Sequence, residues 1–495
     1  MKRILTTYFI CTSFYLMAQT TELKREIKYT AEVGTYISTD GNTPFWLRAN
    51  QYGTVPLTSP IVTLGGSISS DYKKAVTKED QYKLSKFDWG YGLNIVGNVG
   101  KENQFLIPEA YIKAKFGAFE IYAGRRKEIF GLVDSTLSSG SYIWSGNALP
   151  MPKIQIMNRD FIPLGITKGF LSFKGSYAHG WFENDRTDVK NFYLHQKSLY
   201  FRLGKPDWNF KFYGGFNHQV QWGGELLYKD PKNIISVNGK LPSSFIDYIG
   251  VVMGKSLAVE SDTSKFSIAD ATNRAGNHLG TIDIGFELNT NRLDVLFYRQ
   301  NIYEDGSLAY LINIGDGLKG ISISNKNTES TKFKIEKIVI EYLDTRNQGG
   351  LIGGESLSPR QRGKDNYFNN GQYIDGWSYS KKSIGTPFFT SNFDSSPKSL
   401  SNVLFTNNRV QAYYLGIKSI LHQTIKLETR LSYSENLGLQ DFPFIKPLNQ
   451  FSALVNLNIP SNILGKSNLI FSMSYDNGQL LHNNLGLYMG IRKVY

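Results

Sequence analysis

Cysteine is nearly absent: Cys11 is the only one in 495 residues. No intrachain disulfide can form, which excludes a disulfide-stapled secreted scaffold. Past residue 18 there is no run of 18 apolar residues, so a helical membrane span is excluded. Charged residues reach only 20%, below the ~25% of an average soluble chain. Six histidines are present, none in an H-E-x-x-H pair, and with no cysteine ligand a zinc site has no support. A P-loop is missing too, because Gly254-Lys255-Ser256 has Ile249 where the leading glycine belongs. Nothing resembles a nucleophile elbow. Asp134-Ser135 with His179 can be drawn as a hydrolase triad, but triads are defined by geometry that a sequence does not supply. No catalytic residue, metal ligand or cofactor is assigned.

What is present is aromatic and glycine-rich. The chain holds 30 Tyr, 31 Phe and 47 Gly, whereas disorder needs few aromatics and high net charge. Lys2 and Arg3 precede a mostly apolar Ile4–Met17, and Ala18 ends it. This is the pattern of a secretory signal peptide over residues 1–18, too short and wrongly flanked for a membrane span. Without it the chain keeps 53 basic and 42 acidic residues, a net +11. That excess suits an acidic partner such as a glycan or lipopolysaccharide phosphate. Export argues against nucleic acid.

Period two runs through the C-terminal half. Leu469, Phe471, Met473 and Tyr475 alternate with Asn468, Ser472, Ser474 and Asp476. Leu485, Leu487, Met489 and Ile491 alternate with Gly486, Tyr488, Gly490 and Arg492. Phe451–Ile459 and Ile425–Tyr433 repeat the pattern. Segments of about 10 residues, apolar on one face and polar on the other with aromatics near their ends, mark a transmembrane β-barrel. The chain also ends on an aromatic, Tyr495, closing a strand. The expected fold is all-β: one antiparallel transmembrane barrel over residues 19–495, with about 18 strands at about 26 residues each. The less regular first 40 mature residues could form a small periplasmic cap or plug. Short turns at Gly117-Ala118, Gly204–Asp207 and Asn289–Asn291 are assigned to the periplasmic end, along with Tyr495. Residues 128–152, 180–194, 220–280, 300–330 and 344–408 lack sustained alternation and are expected as outer loops or inward-folded constrictions. Leu437–Pro447 and Asn477–Asn483 are two further outer loops. Ser243–Val252 reads as a short helix.

Several stretches carry a family signature: TPFWLRANQYGTVP (Thr43–Pro56), the long segment Leu106–Pro152, AHGWFEN (Ala178–Asn184), LHQKSLYFRLGKP (Leu194–Pro206), GGFNHQVQWGG (Gly214–Gly224), EYLDTRNQ (Glu341–Gln348) and DGWSYSKKSIGTPF (Asp375–Phe388). Together they resemble the Bacteroidetes branch of the Wzi capsule-assembly family. The resemblance implies an outer-membrane, lectin-like barrel of about 18 strands that attaches capsular or other surface polysaccharide and is not an enzyme. It carries over no binding residue by position. An outer-membrane porin, general or sugar-selective, is the alternative that periodicity alone leaves open.

Strand direction brings motif residues toward the end opposite the short turns. Sugar binding uses aromatic faces, planar amides, carboxylates and Arg, the last pairing bidentately with uronate or phosphate. The candidates are Arg125, Arg126, Asp134, Trp144, Asn147, His179, Trp181, Glu183, His195, His218, Gln221 and Trp222, with Trp144, Trp181 and Trp222 as stacking platforms. The competing expectations are an interface-belt anchor for each aromatic and, for the two arginines, a lumen ion-pair network with Glu120 or Glu128. Expected partners are a surface polysaccharide, acidic if the net charge is a guide, outer-membrane lipid and lipopolysaccharide, and the barrel-assembly machinery through the strand ending at Tyr495.

Overall fold

The computed structural model describes residues 25–74, 84–255, 257, 266–272, 274–304, 307–327, 332–351, 363–396, 398 and 403–495. The signal-peptide segment lies outside these residues. Eighteen long strands form one antiparallel sheet, and the sheet closes because the first strand pairs with the last, from Thr30↔Val494 to Ser38↔Gly486. In order they are β1 Ile27–Ser38, β2 Ile61–Ser70, β3 Phe87–Gly100, β4 Gln104–Phe116, β5 Phe119–Arg125, β6 Pro152–Asn158, β7 Leu171–Trp181, β8 Tyr193–Leu203, β9 Phe210–Trp222, β10 Asn277–Asn289, β11 Leu293–Glu304, β12 Gly317–Asn325, β13 Phe333–Asp344, β14 Val410–Leu421, β15 Ile425–Gly438, β16 Pro443–Ser461, β17 Ser467–Gly478 and β18 Asn484–Val494. A two-residue piece, Ile162–Pro163, extends the pairing of β6 along β7. Closure leaves no unpaired edge, as a hydrocarbon surround demands.

Parity sets the faces. Phe471, Met473 and Met489 are exposed on the outer wall, while Ser472, Ser474 and Tyr488 are buried inside. The turns 117–118, 204–209 and 290–292 all follow even-numbered strands, so they share one end with Tyr495, whose N–H bonds Tyr29 O. Gly117 takes φ +61 at the first turn position, where a side chain would be strained. The long connections gather at the other end.

Several expected boundaries move. Residues 27–38 form barrel strand β1, so that part of the N-terminal segment is wall, while residues 39–60 fold inward from the loop end as part of a plug. Residues 317–325, expected within a loop, are strand β12. Its pattern is masked because Leu318 points inward to an apolar interior while Lys319 points outward, its Nζ 5.5 Å from the Tyr342 ring centroid. Strands also run farther than expected at Val220–Trp222 and Asn277–Gly280, and the 437–447 loop shrinks to residues 439–442. The short helix is Phe245–Met253, with Ser244 and Asp247 forming a reciprocal capping box.

The main hydrophobic core lies inside the barrel. Loops 39–60, 126–151 and 363–396 fold inward and bury Trp46, Leu137, Tyr142, Ile143, Tyr367, Phe368 and Trp377 against inward strand residues such as Val339, Leu343 and Tyr414. Trp46 donates to Ser432 Oγ at 3.0 Å and Trp377 to Ile143 O at 2.8 Å, so both indoles are satisfied. Gly385 lets the loops interlock, since a Cβ there would sit 2.0 Å from Tyr142 O. Beneath this plug a polar cavity of about 380 Å³ remains, between Trp46 and residues 133–137 above and Glu32, Arg430, Asn458 and Arg492 nearer the turn end.

Candidate functional site

Register divides the twelve sequence candidates between the two sides of the wall. On the inner side Arg126 pairs with Glu120 at 2.5 Å, and Glu128 pairs with Lys153 at 2.8 Å. This is the lumen network expected as the alternative role for the arginines. Arg125 ends β5 and donates to Tyr379 Oη at 3.0 Å. Gln221 points inward, donating to Gly376 O and accepting from Asn277 Nδ2, each at 3.0 Å.

Asp134, Trp144 and Asn147 sit in the plug and hold it. The Asp134 carboxylate accepts from Thr136 N, Thr136 Oγ1, Leu137 N, Ser322 Oγ and Lys337 Nζ. Burial pushes its carboxyl up, but Lys337, Thr136 and Ser322 outweigh that and bring it from 3.8 to about 2. Asn147 accepts from Asn50 N and donates to Ser383 O. Trp144 is buried between Phe130 and Trp377, with Lys153 Nζ 4.6 Å from its ring centroid. It cannot present a face to a sugar.

On the outer side lie His179, Trp181, His195, His218 and Trp222. His195 faces His179 across the β7–β8 pair, and Trp222 faces Tyr193 across the β8–β9 pair. His195 and Trp222 are buried under the helix Phe245–Met253, whose Tyr248 ring packs on both, and His218 is buried against His195, His278 and Tyr303. Trp181 remains 38% exposed. The twelve therefore do not converge on one mouth, because successive residues of a strand point to opposite sides of the wall. The same separation breaks up the drawn triad: Asp134 and Ser135 line the interior and His179 is outside.

The built feature of the loop end is a hairpin the sequence candidates omit. Ser378–Tyr379 pairs with Lys382–Ser383, and the turn residues Ser380 and Lys381 both have positive φ, at +49 and +61, the geometry of a tight twisted hairpin. Three braces hold it. Arg125 bonds Tyr379, Glu183 accepts from Ser380 N at 3.0 Å, and buried Arg186 donates to Ser378 O at 2.6 Å. Arg186 also pairs with Glu183 at 3.0 Å and lies over the rings of Phe182 and Phe192, which stack at 4.4 Å. Burial raises the Glu183 carboxyl above its usual range despite Arg186. Lys382 donates to Val55 O at 2.7 Å, and burial and then Arg48 bring its ammonium down to about 8. At the hairpin tip exposed Lys381 stands 5.3 Å from the ring centroid of Phe393, which is 58% exposed. Beside it Arg48 pairs with Asp394 at 2.9 Å. The motif DGWSYSKK was visible in the sequence, but nothing local marked its lysine and a distant phenylalanine as neighbours.

The model of the family named capsule assembly protein Wzi matches residues 22–415. The chain belongs to the Wzi family of capsule assembly proteins. Its fold is similar to that of Escherichia coli Wzi, described as an outer-membrane, carbohydrate-binding β-barrel involved in group 1 capsule assembly. That match has a TM-score of 0.55 at 16% identity, covering 94% of this chain and 84% of the other. Pseudomonas aeruginosa OccK3 and Acinetobacter baumannii OccAB4 align over 95% and 96% of this chain and 96% and 99% of theirs. Both have TM-scores of 0.45, at 9% and 8% identity. No curated protein matches the sequence. This Wzi-family chain is thus an outer-membrane barrel, in agreement with its closed lipid-compatible wall.

Proposed function

We propose that the loop end faces the cell exterior and that its crown, formed by hairpin 378–383 and residues 391–394, retains a surface polysaccharide without cleaving it. One observation carries this: an exposed ring, Phe393, stands beside Lys381 on a hairpin that buried ion pairs and carbonyl bonds hold rigid. A ring face can stack on a pyranose, and a neighbouring ammonium can meet a carboxylate or phosphate on the same chain. The carbohydrate binding described for the Escherichia coli relative supports the substrate class. The interior filled by Trp46, Tyr142 and Trp377 weighs against a porin. The quoted motifs support placement in the Bacteroidetes branch, and Tyr495 at the turn end supports engagement of the C-terminal strand by barrel-assembly machinery.

The test is retention in cells and binding by purified protein. A deletion strain should still make the glycan but shed it into the medium. Phe393→Ala should weaken binding alike at low and high salt. Lys381→Ala should weaken it mainly at low salt, because exposed charge pairs are screened over about 8 Å at physiological ionic strength. A strain that keeps its glycan but loses small-solute uptake would establish the porin instead. Shortening of the glycan by purified protein would establish an enzyme.

A further inference from the structure

The connection from β9 to β10 folds back onto the outside of the barrel. Along β9, Phe212 and Phe216 point outward and are 60% and 37% exposed. His218, Val220 and Trp222 share that face but are 8%, 0% and 5% exposed, because the helix Phe245–Met253 lies over Val220 and Trp222 while His278 and Tyr303 pack on His218. Val251 packs with Val220, Trp222, Leu257 and Ala275. Tyr248 contacts the rings of His179, His195 and Trp222, and its hydroxyl bonds that of Tyr177 at 2.8 Å. Lys197 Nζ, on the same outer face, donates to Val252 O near the helix C-terminus.

This patch of wall is polar where a barrel in lipid should be apolar. His218 is eight residues above Phe210 on β9, and at about 3.4 Å per residue and a tilt of about 40° it lies roughly 20 Å higher. That is in the upper part of an apolar band about 25 Å tall, and Trp222, four residues further, lies roughly 10 Å higher, so the helix sits at the loop-side border of the band. Histidines and a lysine facing hydrocarbon are costly there, and the helix covers His179, His195 and Lys197. Its opposite face is then left bare: Phe245, Ile246, Ile249 and Met253 are 76%, 79%, 49% and 75% exposed. A helix apolar on both faces needs an apolar surround on both. The protein supplies one, and the bare face continues the column of Phe212 and Phe216 below it.

We propose that helix Phe245–Met253 is immersed in the acyl chains of the loop-side leaflet, so that lipid chains occupy its outer face and the helix restores the apolar band over the polar patch. The inference depends on the barrel spanning a bilayer and is independent of what the crown binds.

The mature chain lacks cysteine, so single cysteines can be labelled without background. Spin labels at Ile246→Cys and Met253→Cys should be compared in phosphatidylcholine vesicles with one on the outer wall, Met489→Cys, and one in the exposed part of the same connection, Lys232→Cys. The expected result is that both helix labels match Met489→Cys, with high collision rates for oxygen and low rates for a water-soluble nickel chelate. Nickel accessibility equal to that of Lys232→Cys at both helix positions would overturn the proposal. Exclusion of both reagents together with spin–spin broadening would overturn it in favour of a second copy of this chain on that face.

Discussion

Replacing Asp134 by Asn tests how the plug is pinned to the wall. The Asp134 side chain is 7% exposed and its Oδ2 lies 2.6 Å from Lys337 Nζ of β13. Ser322 of β12 donates to the same oxygen at 2.7 Å. The other oxygen caps the turn at Thr136 and Leu137. Burial alone would raise this carboxyl, but those donors bring it from 3.8 to about 2. At about 1.36 kcal/mol per pKa unit, that preference for the charged form corresponds to roughly 2 kcal/mol of stability at pH 7. The sign follows from a depressed folded-state value: the contribution is fully present above pH ~4, the unfolded value, and is lost as pH falls through about 2. Asp134→Asn should therefore cost about 2 kcal/mol at pH 7, and its difference from wild type should shrink steadily between pH 4 and pH 2. The assay is urea unfolding of the barrel in lipid vesicles, followed by the gel shift between folded and unfolded chain, at several pH values. A cost that stays the same from pH 7 to pH 2 would refute the electrostatic account, as would no cost at pH 7.

Other substitutions probe the crown and its supports. Arg186→Met leaves Glu183 buried without its cation and strips donors from Ser378 O and Gly376 O. A local loss of about 3–5 kcal/mol is expected for breaking such a pair, seen as faster amide exchange over residues 375–384 while the barrel stays folded; unchanged exchange would contradict it. Gly376→Ala adds a Cβ 2.1 Å from Phe368 O at φ +57, so protease sensitivity of the 363–396 loop should rise, and native-like resistance would count against a tightly interlocked plug. Arg126→Ala should lower thermal stability, because buried Glu120 loses its 2.5 Å cation and keeps only the Tyr72 hydroxyl and the more distant Arg159, and leave glycan affinity unchanged. An affinity loss confined to low salt would return Arg126 to the binding surface.

Much of the barrel was legible because its signal is local. A strand's faces repeat every two residues, so the parity of Phe471, Ser472, Met473 and Ser474 assigns outside and inside without knowledge of any neighbour. The same locality made the Gly117, Gly204 and Asn289 turns readable and put them at one end with Tyr495. Strand β12 escaped because the apolar plug reverses the usual polarity at Leu318 and Lys319. The site was less legible. Arg125, Gln221 and Glu183 were found by residue type and strand direction, but their contacts lie on loop residues 376–380. Lys381 and Phe393 carry no motif of their own.

Sequence alone determined a closed, cysteine-free antiparallel barrel and the family to which it belongs, since periodicity, turn chemistry and motif order are properties of the chain itself. Only the tertiary structure decided which side of the wall each candidate occupies in practice, and what covers it. Trp46 meets Ser432, Ser138 meets Glu341, and Arg186 meets Ser378 across separations of hundreds of residues. Such pairings arise when aperiodic loops satisfy buried polar groups inside a shape that the strands have already closed. His195 and His218 look outward by parity, yet the helix of the β9–β10 connection shields His195, and His278 and Tyr303 pack on His218. Parity is a local property of a strand, whereas burial depends on every segment that packs against it.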